Sequence, residues 1–402
     1  MHISTIKSSP FGKEHDRSVL AGAAEHAVKT PSWIQKLNAQ PAMSPNPLVL
    51  SDADISYILN NLDAPALLST LQILTTALAE ITTRPYDIHQ PLRQSITTSN
   101  GSTTLFMPSS NTDLTAVKTV TLNTTTSASP KGTLTIFNGT TGELQGVLAA
   151  EQLTGYRTAL VSMIILLRRI KRGTPVKRIV VFGTGKQARW ALSLCMNLIP
   201  GLLQVTIVGR STVQRVRDAL PGARKLNEVT KWSLSSPDCK FVALAPVGEP
   251  GFEGRLREAV GGADAIFCCT PATEPLFPVE YLTAERTRYV SLVGSYKPHM
   301  KEIDPAYLRR KDVTVFVDSK EACLKEAGEV IRAGLKEDDL TEVWNTPLHE
   351  ELKGNVVFKC VGLAIMDLAV GAEVLRRARE EREKLVFSET YKKIGVEIPN
   401  FS

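Results

Sequence analysis

An α/β protein is what this sequence predicts: a Rossmann dinucleotide-binding domain preceded by a second, mixed α/β domain. Three observations carry that expectation. Ile179-Val180-Val181-Phe182 runs into Gly183-Thr184-Gly185-Lys186-Gln187-Ala188 and then a helix-like segment, Trp190 to Leu198. That is the strand, glycine turn and helix of a dinucleotide-binding unit. Apolar runs then recur at spacings suited to parallel strands: Gln204 to Val208, Phe241 to Leu244, Ala265 to Cys268, Tyr289 to Val293 and Val313 to Val317. Upstream, Gln94 to Leu148 consists of β-branched runs broken by Asn138-Gly139 and Thr141-Gly142, the pattern of an antiparallel sheet.

The elements follow in order along 402 residues, a length that suits two domains. Residues 1–47 read as a polar arm punctuated by Pro31, Pro41, Pro45 and Pro47. It lacks the apolar stretch of a signal peptide, and Glu14, Asp16 and Glu25 argue against a mitochondrial presequence. Leu48-Val49-Leu50 is a short strand, and Ser51-Asp52-Ala53-Asp54 caps a helix whose apolar face is Ile55, Ile58, Leu59 and Leu62. A second helix spans Pro65 to Thr82. After the antiparallel block, Gln152 to Lys171 is a long helix stopped by Gly173 and Pro175. These segments make 48–172 the first part of the non-Rossmann domain and 173–325 the dinucleotide domain. Residues 326–402 are expected to be C-terminal helices, with Asn355 to Leu385 long enough to return to the first domain.

The glycine turn defines a cofactor site. Gly183 permits the tight turn, Gly185 lets a pyrophosphate approach the backbone, and Ala188 lets helix and strand pack closely. The free N–H groups of Thr184 to Ala188 and the helix dipole favour phosphate charge. The second strand ends in Gly209-Arg210-Ser211-Thr212. An acidic residue there would receive the ribose 2′-hydroxyl of NAD, and this chain has none. Arg210 instead offers a fork for a 2′-phosphate, with Ser211 and Thr212 as donors, so the corner reads as NADPH.

Bulk properties narrow the function. Hydrophobic residues at 43% and charged residues at 22% are those of a globular protein. The net charge of +6 is spread over the whole chain without a basic patch interleaved with aromatics, so nucleic acid is not the expected partner. No uninterrupted apolar run reaches membrane-spanning length. The six cysteines form no Cys-x-x-Cys pair and the histidines no short-spaced pair, so free thiols in a reducing, cytoplasmic compartment and no metal centre are expected.

Further segments carry a family signature. They are Val117-Lys118-Thr119-Val120, Leu153-Thr154-Gly155-Tyr156-Arg157-Thr158-Ala159, Val293-Gly294-Ser295-Tyr296-Lys297-Pro298 with Glu302, Val317-Asp318-Ser319, Glu326-Ala327-Gly328-Glu329, and Phe358-Lys359-Cys360-Val361-Gly362-Leu363-Ala364-Ile365-Met366-Asp367-Leu368. In this order and spacing they resemble the ornithine cyclodeaminase/mu-crystallin family, over Leu48 to about Arg377. The resemblance implies a Rossmann domain joined to a mixed α/β domain that binds substrate and forms homodimers. It also implies a small α-imino or α-amino acid as substrate, two arginines on its carboxylate and a lysine at the reacting centre. The matching residues are Arg93 (in Gln90-Pro91-Leu92-Arg93), Arg157 and Lys118. Strand alternation alone equally allows Lys118 and Arg93 to face solvent, and Arg157 near a helix start also fits a surface salt bridge. Asp304, like Glu302, matches other family positions.

One departure separates the branches of the family. Where cyclodeaminases carry Gly-Ala-Asp, this chain has Gly294-Ser295-Tyr296, without a carboxylate. That is similar to the ketimine reductase (mu-crystallin) side. The resemblance therefore implies NADPH-dependent reduction of a ketimine, cyclic in the leading reading, to an amino acid. Arg93 and Arg157 would clamp the carboxylate, Lys118 would supply the proton, and Thr270 with Gly294 would line the nicotinamide side. Tyr296, Phe106, Met107 and Tyr156 are candidate walls, against the plain alternative of core packing. The rival readings are a cyclodeaminase-type lyase with bound NAD and a non-catalytic NADPH-dependent binder of small ligands.

Overall fold

A computed structural model of the chain describes residues 46–123, 130–219, 238–345, 352, 354–385 and 394–399. The arm expected over residues 1–47 therefore falls almost wholly outside the described residues.

The first domain begins with β1 (Leu48–Leu50), α1 (Asp52–Asn60) and α2 (Ala64–Thr83). Ser51 caps α1 as the sequence predicts: its hydroxyl accepts from Asp54 N at 3.2 Å, and the Asp54 carboxylate accepts from Ser51 N at 3.0 Å. Next come β2 (Gln94–Thr97), β3 (Ser102–Ser110), β4 (Leu114–Asn123), β5 (Lys131–Asn138), β6 (Leu144–Ala149) and α3 (Ala150–Lys171). From β2 to β6 each strand pairs antiparallel with the next, and β1 lies parallel to β6. Alternation decides which residues enter the core. Ala116 and Lys118 of β4 and Leu134 and Ile136 of β5 are buried on one face of the sheet. Lys118 stands opposite Met107 on β3 and Leu134 on β5. Phe106 is the register partner of Thr119 and so points to the other face. Of the two candidate walls on β3, Met107 therefore shares the Lys118 face and Phe106 does not.

The second sheet is built from β7 (Arg178–Phe182), α4 (Lys186–Leu198), β8 (Gln204–Val208), α5 (Val213–Ala219), β9 (Lys240–Leu244), α6 (Phe252–Gly261), β10 (Ala265–Cys268), β11 (Tyr289–Leu292), α7 (Pro305–Leu308), β12 (Val313–Val317), α8 (Lys320–Glu326), α9 (Gly328–Ala333), β13 (Leu340–Glu342) and β14 (Asn355–Lys359). All eight strands are parallel, in the order β13-β12-β14-β11-β10-β7-β8-β9. Strand order reverses between β7 and β10, and the crevice outside their carboxyl ends is where a doubly wound sheet binds its ligand.

The mostly helical reading after Asp318 is corrected here. β13 and β14 are sheet strands, and β14 inserts between β11 and β12. Its residues Asn355 to Lys359 are all buried, so the run carries no alternation to mark it as a strand. The helix that follows, α10 (Ala364–Leu385), packs against α2, α3 and strands β3 to β5 of the first domain. At Gly371 the approach is so close that a Cβ would lie 2.3 Å from Leu134 Cδ2. β15 (Val396–Glu397) pairs antiparallel with β1. Among the described residues one helix, α2, is long and apolar enough by length and composition to cross a membrane, which the sequence reading did not anticipate. It buries Leu67, Ile73, Leu74 and Leu78.

Candidate active site

Because every strand of the second sheet runs the same way, the ends of β7, β8, β10, β11, β12 and β14 open on one side. Gly183, Gly209, Thr270, Gly294, Asp318 and Cys360 follow those strands directly or within two residues.

The glycine turn has the geometry that its sequence predicts. Gly183 has φ +107°, a region that favours glycine. A Cβ on Gly185, the N-cap of α4, would meet nothing within 4 Å, so the backbone there is open to a ligand. A phosphate group placed there would face the first N–H groups of α4. Arg210, Ser211 and Thr184 line a polar cleft together with Arg215, a residue the sequence reading missed because it lies inside α5 rather than in the loop. Thr212 is used otherwise: its hydroxyl accepts from Arg215 N at 3.2 Å as a helix cap. The side chain of Lys186 is also engaged elsewhere. Its ammonium pairs with Asp52 at 2.8 Å and Glu151 at 2.6 Å, which tie α4 to the first domain. Burial opposes its charge, but both carboxylates hold the Lys186 pKa above its ordinary value. Gln187 is half-buried, and Ala188 is buried against the sheet.

The ends of β10 and β11 are organised by Glu302. Its Oε1 accepts from Thr270 N at 2.7 Å and Thr270 Oγ1 at 3.3 Å, and its Oε2 from Gly294 N at 2.7 Å and Ser295 N at 3.3 Å. One carboxylate thus holds the ends of β10 and β11 together. A Cβ on Gly294 would lie 2.1 Å from Thr270 O, so only glycine fits. Burial raises the Glu302 pKa to about 7, against the lowering influence of Lys359. Ser295 donates to Glu329 at 2.6 Å and accepts from Lys359 at 2.6 Å, all three side chains being buried.

A buried ionic cluster joins β4, α3 and α10. Lys118 Nζ and Arg157 Nε both donate to Asp367 Oδ1, at 2.9 and 3.2 Å. All three side chains are buried, which excludes the solvent-facing alternative for Lys118 and the surface salt bridge for Arg157. Burial lowers the Lys118 pKa, and the charges of Arg157 and Arg93 add to this while Asp367 opposes it; the result is about 8. Burial also works against the Arg157 charge, but Asp367, Cys360 and Asp318 hold its pKa above the ordinary value. The guanidinium lies against Gly362, where a Cβ would come within 2.8 Å of Nη1 and Nη2. Gly362 N in turn donates to Asp318 at 2.7 Å. Arg157 Nη2 has no hydrogen-bond partner among the described residues.

Arg93 belongs to this neighbourhood but is not free. It pairs with Glu326 at the end of α8, across the two domains. Tyr296 is half-buried, and burial raises its pKa while the Arg93 charge opposes the shift. Met107 shares the Lys118 face. Tyr156 does not act as a wall: it is fully buried edge-on against Trp190, ring centroids 5.2 Å apart. Asp367 and Glu326 lie in segments of the family signature, yet nothing local assigns either a role. An acid in the first turn of a helix reads as a dipole partner, and one near a helix end reads as solvated surface.

Residues 253–382 match the model of the ornithine cyclodeaminase/mu-crystallin family. An uncharacterised protein of Saccharomyces cerevisiae is 30% identical over 311 residues, 67% of this chain and 80% of its own length. The ketimine reductase mu-crystallin of Mus musculus is 26% identical over 241 residues, 60% of this chain and 67% of that protein. Among solved structures, Thermococcus litoralis Δ1-pyrroline-2-carboxylate reductase in complex with NADH and L-proline superposes with a TM-score of 0.66 at 19% identity, covering 87% of this chain and 100% of that one.

Proposed function

This chain belongs to the ornithine cyclodeaminase/mu-crystallin family, and from that premise we propose that it is an NADPH-dependent oxidoreductase reducing a cyclic ketimine carboxylate to the corresponding amino acid. The observation that carries the reading is Lys118 and Arg157 brought to one buried carboxylate at the carboxyl ends of the parallel strands.

The fit of a dinucleotide rests on the open backbone at Gly185 and the cleft lined by Arg210 and Arg215. Thr184 to Ala188 would hold the pyrophosphate through backbone N–H groups, and the two arginines a 2′-phosphate. Ser211 adds a donor. Thr270 and Gly294 would border the nicotinamide. When bound, the reduced dinucleotide supplies a hydride to the C=N carbon.

The chain's own residues do the remainder. Arg157 Nη2, which has no hydrogen-bond partner among the described residues, takes the substrate carboxylate and so fixes the C=N bond relative to Lys118. Lys118 gives its proton to the nitrogen, and a donor titrating near 8 is matched to that task at neutral pH. Arg93 completes the clamp on leaving Glu326, and Tyr296 walls the substrate beside it. A second copy pairs through the first sheet, whose outermost strand β2 is exposed throughout and carries Ile96. Tyr296 in place of a carboxylate favours reduction over ammonia-releasing cyclisation.

The test is NADPH oxidation followed with Δ1-pyrroline-2-carboxylate and Δ1-piperideine-2-carboxylate, with NADH in parallel. Turnover with either imino acid supports the reading. Ammonia release from ornithine without net NADPH consumption, or tight ligand binding without turnover, sinks it.

A further inference from the structure

We propose that Asp367 is a positioning residue of this site, fixing the orientation of Lys118 and Arg157 together and keeping Lys118 competent as a proton donor. The inference rests on the function proposed above and extends it to a residue that the reaction scheme does not touch.

The geometry gives Asp367 few other duties. It is wholly buried in the first turn of α10, and Oδ1 receives both cations. Oδ2 is buried without a partner, so Lys118 and Arg157 are the only hydrogen-bond donors to this carboxylate among the described residues. An acid whose role was to complement the helix dipole would turn to the free N–H groups of that turn. Those are served elsewhere: Ile365 N donates to Gln90 Oε1 at 2.9 Å, and Met366 N to Leu363 O at 3.2 Å. The mounting is rigid, because Gly371 presses α10 onto Leu134 one turn further along. Strand β4, helix α3 and helix α10 thus each contribute one side chain to a single oxygen.

Two consequences follow. By taking Nε, Asp367 determines which edge of the Arg157 fork is left for a ligand. Gly362 beneath the guanidinium leaves room for this orientation, since even a methyl group there would collide with it. The second consequence is electrostatic. The charged groups facing Lys118 are Asp367 on α10, Arg157 on α3 and Arg93 in the loop before β2; Met107 and Leu134 beside it on the sheet are apolar. Beyond them, Asp318 and Cys360 act on Arg157, and Glu326 is paired with Arg93. Asp367 is the opposite charge in direct contact with Lys118. Burial and both arginines favour the neutral amine, so without Asp367 the lysine would lose its proton at lower pH.

The experiment compares Asp367→Asn and Asp367→Glu with the wild-type full chain, using NADPH and Δ1-pyrroline-2-carboxylate across pH. For Asp367→Asn, the basic limb of kcat/KM should move down by a pH unit or more, and KM for the imino acid should rise tenfold or more. Activity should recover toward low pH, where Lys118 is again protonated. For Asp367→Glu the charge persists but the oxygen is displaced, so KM should rise while the limb stays at its wild-type position. A limb unmoved in Asp367→Asn, or moved equally in Asp367→Glu, overturns the proposal. If Asp367→Asn does not fold, Asp367→Glu decides alone: an unchanged KM or a shifted limb is the adverse result. Titration of 15N-labelled lysine side chains, with the Lys118 signal identified by its loss in Lys118→Met, reads the same shift without turnover. A wild-type enzyme inert toward imino acids would therefore refute the function while this titration still judged the role of Asp367.

Discussion

Lys118 and Asp367 meet at 2.9 Å across 249 residues of sequence, with both side chains out of contact with solvent. Strand β4 and helix α10 are both needed to make this buried pair.

Lys118 must be protonated to act as an acid. Its pKa is lowered to about 8, so turnover is expected to fall as pH rises through about 8 and to level off below it. Lys118→Met should reduce kcat by roughly 100- to 10,000-fold, the usual contribution of a positioned acid. A pH–rate profile of the wild type and single-turnover rates of the variant check both statements. A variant retaining full turnover removes Lys118 from the mechanism.

Arg157 is expected to govern binding more than the chemical step. Arg157→Lys keeps the charge but not the fork, and the contact to Gly362 is lost. A charge-assisted hydrogen bond of about 1.5–3 kcal/mol corresponds to roughly a 10- to 100-fold rise in KM for the imino acid. Inhibition by L-proline measured on the variant gives the same quantity from binding alone.

Coenzyme preference should reside in Arg210 and Arg215. Replacing both by Ala is expected to raise KM for NADPH tenfold or more and to leave KM for NADH nearly unchanged. If wild-type protein works better with NADH, the 2′-phosphate assignment is wrong.

Glu302 should leave a mark on stability. Its folded pKa, about 7, lies above the ordinary 4.5, so the stability it contributes is fully present below 4.5 and is lost as pH rises through about 7. Glu302→Gln removes that slope from the curve of Tm against pH. It also turns an NH2 group toward backbone donors, so Tm should fall throughout, by about 1–3 kcal/mol of stability for the unsatisfied groups. A slope that survives in the variant belongs to another group.

Lys186 offers a contrast with the phosphate-binding role its place in the turn suggests. Both its partners lie in the first domain, and Lys186 itself is 36% exposed at its side chain. Lys186→Met should therefore cost no more than about 1 kcal/mol of stability and change KM for NADPH less than twofold, as read by thermal denaturation and initial rates.

Much of this was legible in the residues themselves. The glycine turn, the antiparallel block and the Ser51 cap announce themselves because each is a local pattern set by sterics or alternation. Tyr156 misled because an aromatic next to an arginine expected at the substrate looks like a wall until α4 supplies Trp190 as its neighbour. β14 was hidden by its own burial, having no polar face to reveal a period. Asp367, Glu326 and Arg215 escaped for a common reason: their meaning comes from partners far away in the chain, and composition near them is that of ordinary helix.

The insertion of β14 between β11 and β12 has a bearing on synthesis. As the ribosome extends the chain, β12 is made before the strand that must separate it from β11, so that gap has to stay unfilled until Asn355–Lys359 emerges. The first sheet likewise waits for α10 to cover its inner face. Both layers therefore reach completion only once residues 355–385 have emerged, and until then the nascent polypeptide holds apolar strands uncovered, the condition in which a chaperone has most to hold.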